Sequence, residues 1–169
     1  MTDITAAKTY IPEGEAAPAS QIGATLEALG ATIASRRDAD ESSYTFQLLS
    51  GSPDKVLKKV MEEAGEVALA AKDVESWATS SLAAALALAG TRGEGVDPEE
   101  LAVQLPDEYQ QALNHLRYEA ADVVYHLMVV LERYGISLDE FAAELNNRMT
   151  DEERPEGAIR LHESCVNRG

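Results

Sequence analysis

The chain predicts an all-α fold, and three observations carry that prediction. Apolar residues recur at three- and four-residue spacing over segments far longer than a strand. Alanine is abundant while aromatics make up only 5% of the residues, which favours helices over sheets. Helix-start signals head these segments: Ser52-Pro53, Pro106-Asp107 and Ser137-Leu138-Asp139-Glu140. At 169 residues the chain suits one domain with a real core.

Residues 1–19 hold Pro12, Gly14 and Pro18 without any period and read as a flexible arm. Ser20 is placed to cap a helix over 20–37 that turns Ile22, Leu26, Leu29 and Ile33 to one side. A polar break over 38–42 and a short helical approach over 44–49 follow. Ser52 offers an N-cap hydroxyl, and Pro53 suits the first position of a helix running to about residue 73. Its buried stripe is expected to be Val56, Val60, Ala64, Val67 and Ala71. On a wheel of about 100° per residue, Lys55, Lys59, Glu62, Glu63 and Glu66 fall on one flank of that stripe.

Residues 74–110 read as an insert, with an Ala-rich helix over 76–89, a Gly-rich loop over 91–96 and a short helix from Asp97-Pro98. The loop lacks the G-x-x-x-x-G-K-[ST] pattern of a phosphate cradle. The next long helix spans 107–134, with Leu113, Leu116, Ala120, Val124, Leu127 and Leu131 as its stripe. Glu119, Asp122 and His126 share one flank, and Gly135 ends the helix. Ser137 opens a last helix through a capping box, and 150–169 form a polar, loosely held tail. The helical domain is therefore expected over 20–149. No internal repeat is present.

Net charge is −16, so the overall field disfavours nucleic acid and anionic membrane surfaces. A polyphosphate would need bound metal and a local group of lysines. The single Cys165 fits a reducing compartment, and no secretory signal heads the chain. The apolar run 82–89 is far shorter than the roughly 20 residues that span a bilayer. The reading is a soluble, cytoplasmic protein.

Glu62-Glu63-Ala64-Gly65-Glu66 is answered across the insert by Glu119-Ala120-Ala121-Asp122. At this spacing, each group's carboxylates project from one side of its helix and repel one another. A solvated acidic face is the plainer explanation of either group alone. A fold that brings two such groups together needs something to neutralise them, and the obvious candidate is a hard divalent cation held by oxygen. The set favours Mg²⁺ or Mn²⁺ over zinc or iron. His115 and His126 lack the E-x-x-H spacing of a di-iron bundle, and His126 reads as a packing or supporting histidine. Magnesium beside lysines suits polyphosphate hydrolysis, with one surplus carboxylate as general base on water.

Several motifs together resemble phosphoribosyl-ATP pyrophosphohydrolase, a MazG-like all-α family. They are Ser43-Tyr44-Thr45, Ser52-Pro53-Asp54-Lys55-Val56-Leu57-Lys58-Lys59, Glu62-Glu63-Ala64-Gly65-Glu66, Tyr118-Glu119-Ala120-Ala121-Asp122-Val123-Val124-Tyr125-His126 and Tyr134-Gly135-Ile136-Ser137-Leu138. The resemblance implies Mg²⁺-dependent hydrolysis of 1-(5-phosphoribosyl)-ATP to 1-(5-phosphoribosyl)-AMP and pyrophosphate, the second step of histidine biosynthesis. It also implies a helical bundle completed by homodimerisation. Carried onto this chain, it assigns metal to Glu62, Glu63, Glu66, Glu119 and Asp122, and general-base duty to Glu62 or Glu63. Lys55, Lys58 and Lys59 match the family's basic run and become candidates for phosphate contact, with Arg148 a further one. The insert is longer than the family usually has. The Cys/His zinc site of a fused cyclohydrolase has no counterpart in a chain with one cysteine.

Two other functions fit parts of this pattern. A house-cleaning pyrophosphohydrolase would use the same metal site on dUTP or noncanonical nucleotides, and a substrate panel separates it. A non-enzymatic acidic interaction protein would show no Mg²⁺ dependence at all.

Overall fold

The computed structural model describes residues 8–91 and 103–166. They form five α-helices: α1 (Gln21–Ser35), α2 (Tyr44–Ser50), α3 (Pro53–Thr91), α4 (Asp107–Arg133) and α5 (Leu138–Asn147). Short 3₁₀ turns stand at Arg36–Asp38 and Glu163–Cys165, and no strand occurs among the described residues. The expected Gly-rich loop and the short helix from Asp97-Pro98 lie outside the described residues, apart from Thr91, the last residue of α3. No helix is long and apolar enough to cross a membrane among the described residues.

The described residues form two compact units, one from 8–10, 58–91 and 103–124, the other from 11–57 and 125–166. Helices α3 and α4 each contribute a segment to both. In the second unit, Ile33, Leu48, Leu49, Val56, Met128 and Val129 make the core, with Leu26, Leu29, Tyr125, Val130 and Leu138 packed against it. A methyl group added at Gly30 would stand 3.2 Å from Leu138 Cδ1, so glycine allows α1 this close approach.

Local chemistry sets the helix ends. Ser20 Oγ accepts from Gly23 N at 3.1 Å, and Ser43 Oγ accepts from Phe46 N at 3.4 Å. Ser137 and Glu140 form a complete capping box. At the end of α4, Ile136 N donates to Leu131 O at 2.9 Å and Gly135 N to Glu132 O at 3.2 Å. That pairing needs left-handed backbone, and Gly135 supplies it with φ of +71°. Arg133 reaches the end of α2, donating to Leu48 O at 2.8 Å and to Leu49 O and Gly51 O at 2.7 Å.

Three expectations change. The helix expected to stop near residue 73 continues as α3 to Thr91, because Lys72-Asp73-Val74-Glu75-Ser76 contains neither Gly nor Pro to break it. The expected stripes are rotated. Ile22, Ala64, Ala120 and Val124 are exposed, whereas Ala70, Ala112, Glu63 and Glu119 are buried. Both long helices are apolar on more than one side, so periodicity alone does not choose the covered face. The tail is also tied down: Arg154 Nε donates to Asn146 O at 2.7 Å, and Asn146 Nδ2 donates to Ile159 O at 2.9 Å.

Candidate functional site

Glu63 and Glu66 lie three residues apart on α3, on one side of the helix, and Glu119 projects from α4. One carboxylate oxygen from each lies within 4.8 Å of the others. Glu63 and Glu119 are buried, at 5% and 6% exposure, while Glu66 stays accessible. A core position filled by glutamate is unusual and calls for partners.

A lysine and a histidine flank the trio. Lys59 Nζ stands 2.9 Å from Glu63 Oε1 and 3.2 Å from Glu62 Oε1. Its ammonium is held above its ordinary pKa, first by the hydrogen bond to Glu63 and then by that to Glu62. On the other side, His115 Nε2 lies 2.8 Å from Glu119 Oε1, one turn back along α4. Even so, Glu66 is pushed above the ordinary carboxyl value, first by loss of water around it, then by its hydrogen bond to Glu63 and the charge of Glu119. Three converging carboxylate oxygens suit a hard divalent cation, which binds such donors through oxygen.

The structure therefore brings together three of the five carboxylates marked from sequence. Glu62 turns to Lys59, and neither it nor Asp122 belongs to the trio. Lys59 is at the site, and Lys58 is an exposed residue of the same helix. His115 is a partner of the trio that no sequence motif marks. The signal for it is its four-residue offset from Glu119, the spacing of a helical side-chain pair.

The remaining candidates belong to the second unit. Lys55 Nζ donates to Gln47 Oε1 at 2.8 Å and lies 5.7 Å from the centroid of the Tyr44 ring. Arg148 pairs with Glu144 Oε1 at 3.0 Å on the exposed side of α5. His126 is buried at 5% exposure, with Nε2 3.2 Å from the Tyr44 hydroxyl and its ring edge-on to Tyr125. Thr45 and Tyr125 hydroxyls meet at 2.7 Å beside it.

A profile of the family described as phosphoribosyl-ATP pyrophosphohydrolase matches residues 26–149. The chain belongs to that family. A phosphoribosyl-ATP pyrophosphatase from Dechloromonas aromatica is 35% identical over 124 residues, covering 73% of this chain and 81% of that protein. The protein of that name from Paracidovorax citrulli is 34% identical over 137 residues, with 79% and 76% covered. One from Methylobacterium radiotolerans is 35% identical over 137 residues, with 80% and 94% covered. No solved structure matches. The span matched to the phosphoribosyl-ATP pyrophosphohydrolase family contains the whole carboxylate trio, Lys59 and His115 beside it, and the residues from 74 to 110.

Proposed function

We propose that the protein hydrolyses 1-(5-phosphoribosyl)-ATP to 1-(5-phosphoribosyl)-AMP and pyrophosphate, the second step of histidine biosynthesis. The observation that carries this is the convergence of Glu63, Glu66 and Glu119 in a chain whose relatives bear the name phosphoribosyl-ATP pyrophosphatase. Those three residues would hold Mg²⁺, with Mn²⁺ as a substitute and Asp122 as a further ligand. When bound, the cation neutralises phosphate charge and makes water more acidic.

In this reading Glu62 takes the proton from water as it attacks the α-phosphorus. Glu62 lies beside the trio without being part of it, and its side chain is 44% exposed. The bond from the α-phosphorus to the bridging oxygen breaks, and pyrophosphate leaves with that oxygen. Glu63 is the less suitable base, because it is buried against Lys59. Lys59 answers the phosphate charge, aided by Lys58, while Lys55 and Arg148 would serve phosphates only by leaving Gln47 and Glu144. The Tyr44 contact keeps His126 in a supporting place.

The working form is a homodimer in the cytoplasm. Met61, Leu69 and Tyr118 are 74%, 68% and 65% exposed in one chain, which favours a partner over them. The deciding experiment is pyrophosphate release from 1-(5-phosphoribosyl)-ATP with Mg²⁺, against an EDTA control and against ATP and dUTP. Metal-dependent release from the first substrate is expected. Preference for dUTP or ATP would move the protein to the house-cleaning class, and no release from any would end the enzymatic reading.

A further inference from the structure

An open cleft of about 310 Å³ lies within the unit that carries the carboxylate trio. Asp73 and Trp77 of α3 and Glu108, Gln111, Ala112 and His115 of α4 line it. We infer that this cleft seats the adenine of the substrate and selects an adenine substituted at N1. The inference rests on the function proposed above and adds the residues that choose the base.

The lining comes from two regular helix faces. Asp73 and Trp77 are four residues apart, and Glu108, Gln111, Ala112 and His115 follow helical spacing on α4. The cleft adjoins the trio through His115, whose Nε2 stands 2.8 Å from Glu119 Oε1. Along α3, Asp73 follows Glu66 by seven residues, or about 10 Å of helix rise. A nucleotide with its phosphates at the trio has this stretch within reach of its ribose and base.

The chemistry of the lining is odd for plain ATP. Its adenine is neutral, and two carboxylates beside a polyphosphate add only repulsion in a chain of net charge −16. An adenine bearing a ribosyl group at N1 is different. Substitution there makes the ring much more basic, so near neutral pH it carries a delocalised positive charge. Asp73 and Glu108 attract that charge, and the indole of Trp77, 40% exposed, offers it a π face. The Gln111 amide can donate to and accept from the ring edge. The cleft therefore rewards the feature that distinguishes phosphoribosyl-ATP from ATP.

Trp77 is the chain's single tryptophan, so its fluorescence reports on the cleft without any turnover. The full-length protein is titrated with 1-methyl-AMP and with AMP, both in Mg²⁺. Quenching by 1-methyl-AMP is expected at about tenfold lower concentration than by AMP. In the Asp73→Asn/Glu108→Gln double variant the two curves should converge. Equal quenching by both nucleotides, or quenching by neither, overturns the assignment, and this wild-type comparison needs no variant to fold. Pyrophosphate release is measured on the same sample. Release from phosphoribosyl-ATP without preferential quenching removes the cleft assignment alone. No release removes the proposed function and this inference with it.

Discussion

Lys59 Nζ lies 2.9 Å from Oε1 of Glu63, one helical turn away on α3, and Glu63 is a buried carboxylate. The lysine is accessible enough to meet a phosphate, yet its charge also supports a glutamate inside the fold. Lys59→Met should therefore destabilise the metal-free protein by about 1–2 kcal/mol, as a buried acceptor loses its charged donor. Denaturant melts in EDTA and in Mg²⁺ test this. The loss should shrink in Mg²⁺, where a second cation serves the same carboxylates. An equal loss in both would assign Lys59 to packing alone.

Glu66→Gln should do the opposite to stability while lowering activity by about a hundredfold or more. The folded protein holds the Glu66 carboxyl above its ordinary value of 4.5. Such a group favours the protonated fold, so its contribution is present below 4.5 and is lost as pH rises through the raised value. Near neutral pH the metal-free variant should melt above the wild type, and that gap should close as pH falls toward 4.5. A gap independent of pH would mean that Glu66 is not crowded by Glu63 and Glu119.

Metal should stabilise the folded chain by mass action. At one hundred times its dissociation constant, a ligand specific to the fold adds about 2.7 kcal/mol. Thermal melts across a Mg²⁺ series should rise accordingly, EDTA should reverse the rise, and Glu119→Gln should abolish most of it. A wild-type melting temperature indifferent to Mg²⁺ would show that the trio does not bind the ion without substrate.

Features fixed by neighbouring residues were legible in the sequence. Ser20, Ser137 with Glu140, and Gly135 mark helix ends through bonds made within a few residues, and each is found doing so. What depends on helix rotation was not legible. Glu62, Glu63 and Glu66 fall on one flank of any wheel, and only packing decides that Glu63 and Glu66 join Glu119 while Glu62 turns to Lys59. Likewise, Ala64 and Val67 serve a stripe equally well by pattern, yet Ala64 is exposed and Val67 half-buried. The end of α3 is not legible either, because a run of polar residues resembles a boundary although nothing in it forbids a helix.

Arg133 offers a test of the fold that leaves the trio untouched. Its guanidinium serves the carbonyls of Leu48, Leu49 and Gly51, groups at a helix C-terminus with no donor inside the helix. Leu48 and Leu49 also belong to the core of that unit. Arg133→Met keeps the aliphatic stem and removes the donors, and it should cost about 2–3 kcal/mol. Urea denaturation would register this as a lower midpoint, and an unchanged midpoint would mean that water replaces the guanidinium at no cost.

Met61 tests the proposed dimer. Met61 and Leu69 are eight residues apart on α3, with Gly65 between them on the same side, and both are largely exposed in the single chain. Gly65 has open space beside it, so a partner helix could approach closely there. A single exposed methionine needs no explanation, whereas a stripe of this kind on a long helix does. Met61→Glu should place charge in the centre of that contact and shift the protein from dimer to monomer in sedimentation at micromolar concentration. Charge buried at an interface without a partner costs several kcal/mol, which is about a thousandfold in dissociation constant. Helicity should survive, because residue 61 lies outside the buried positions of its own chain. A wild-type protein that sediments as a monomer would overturn the dimer, and a variant that stays dimeric would move the interface off this face of α3.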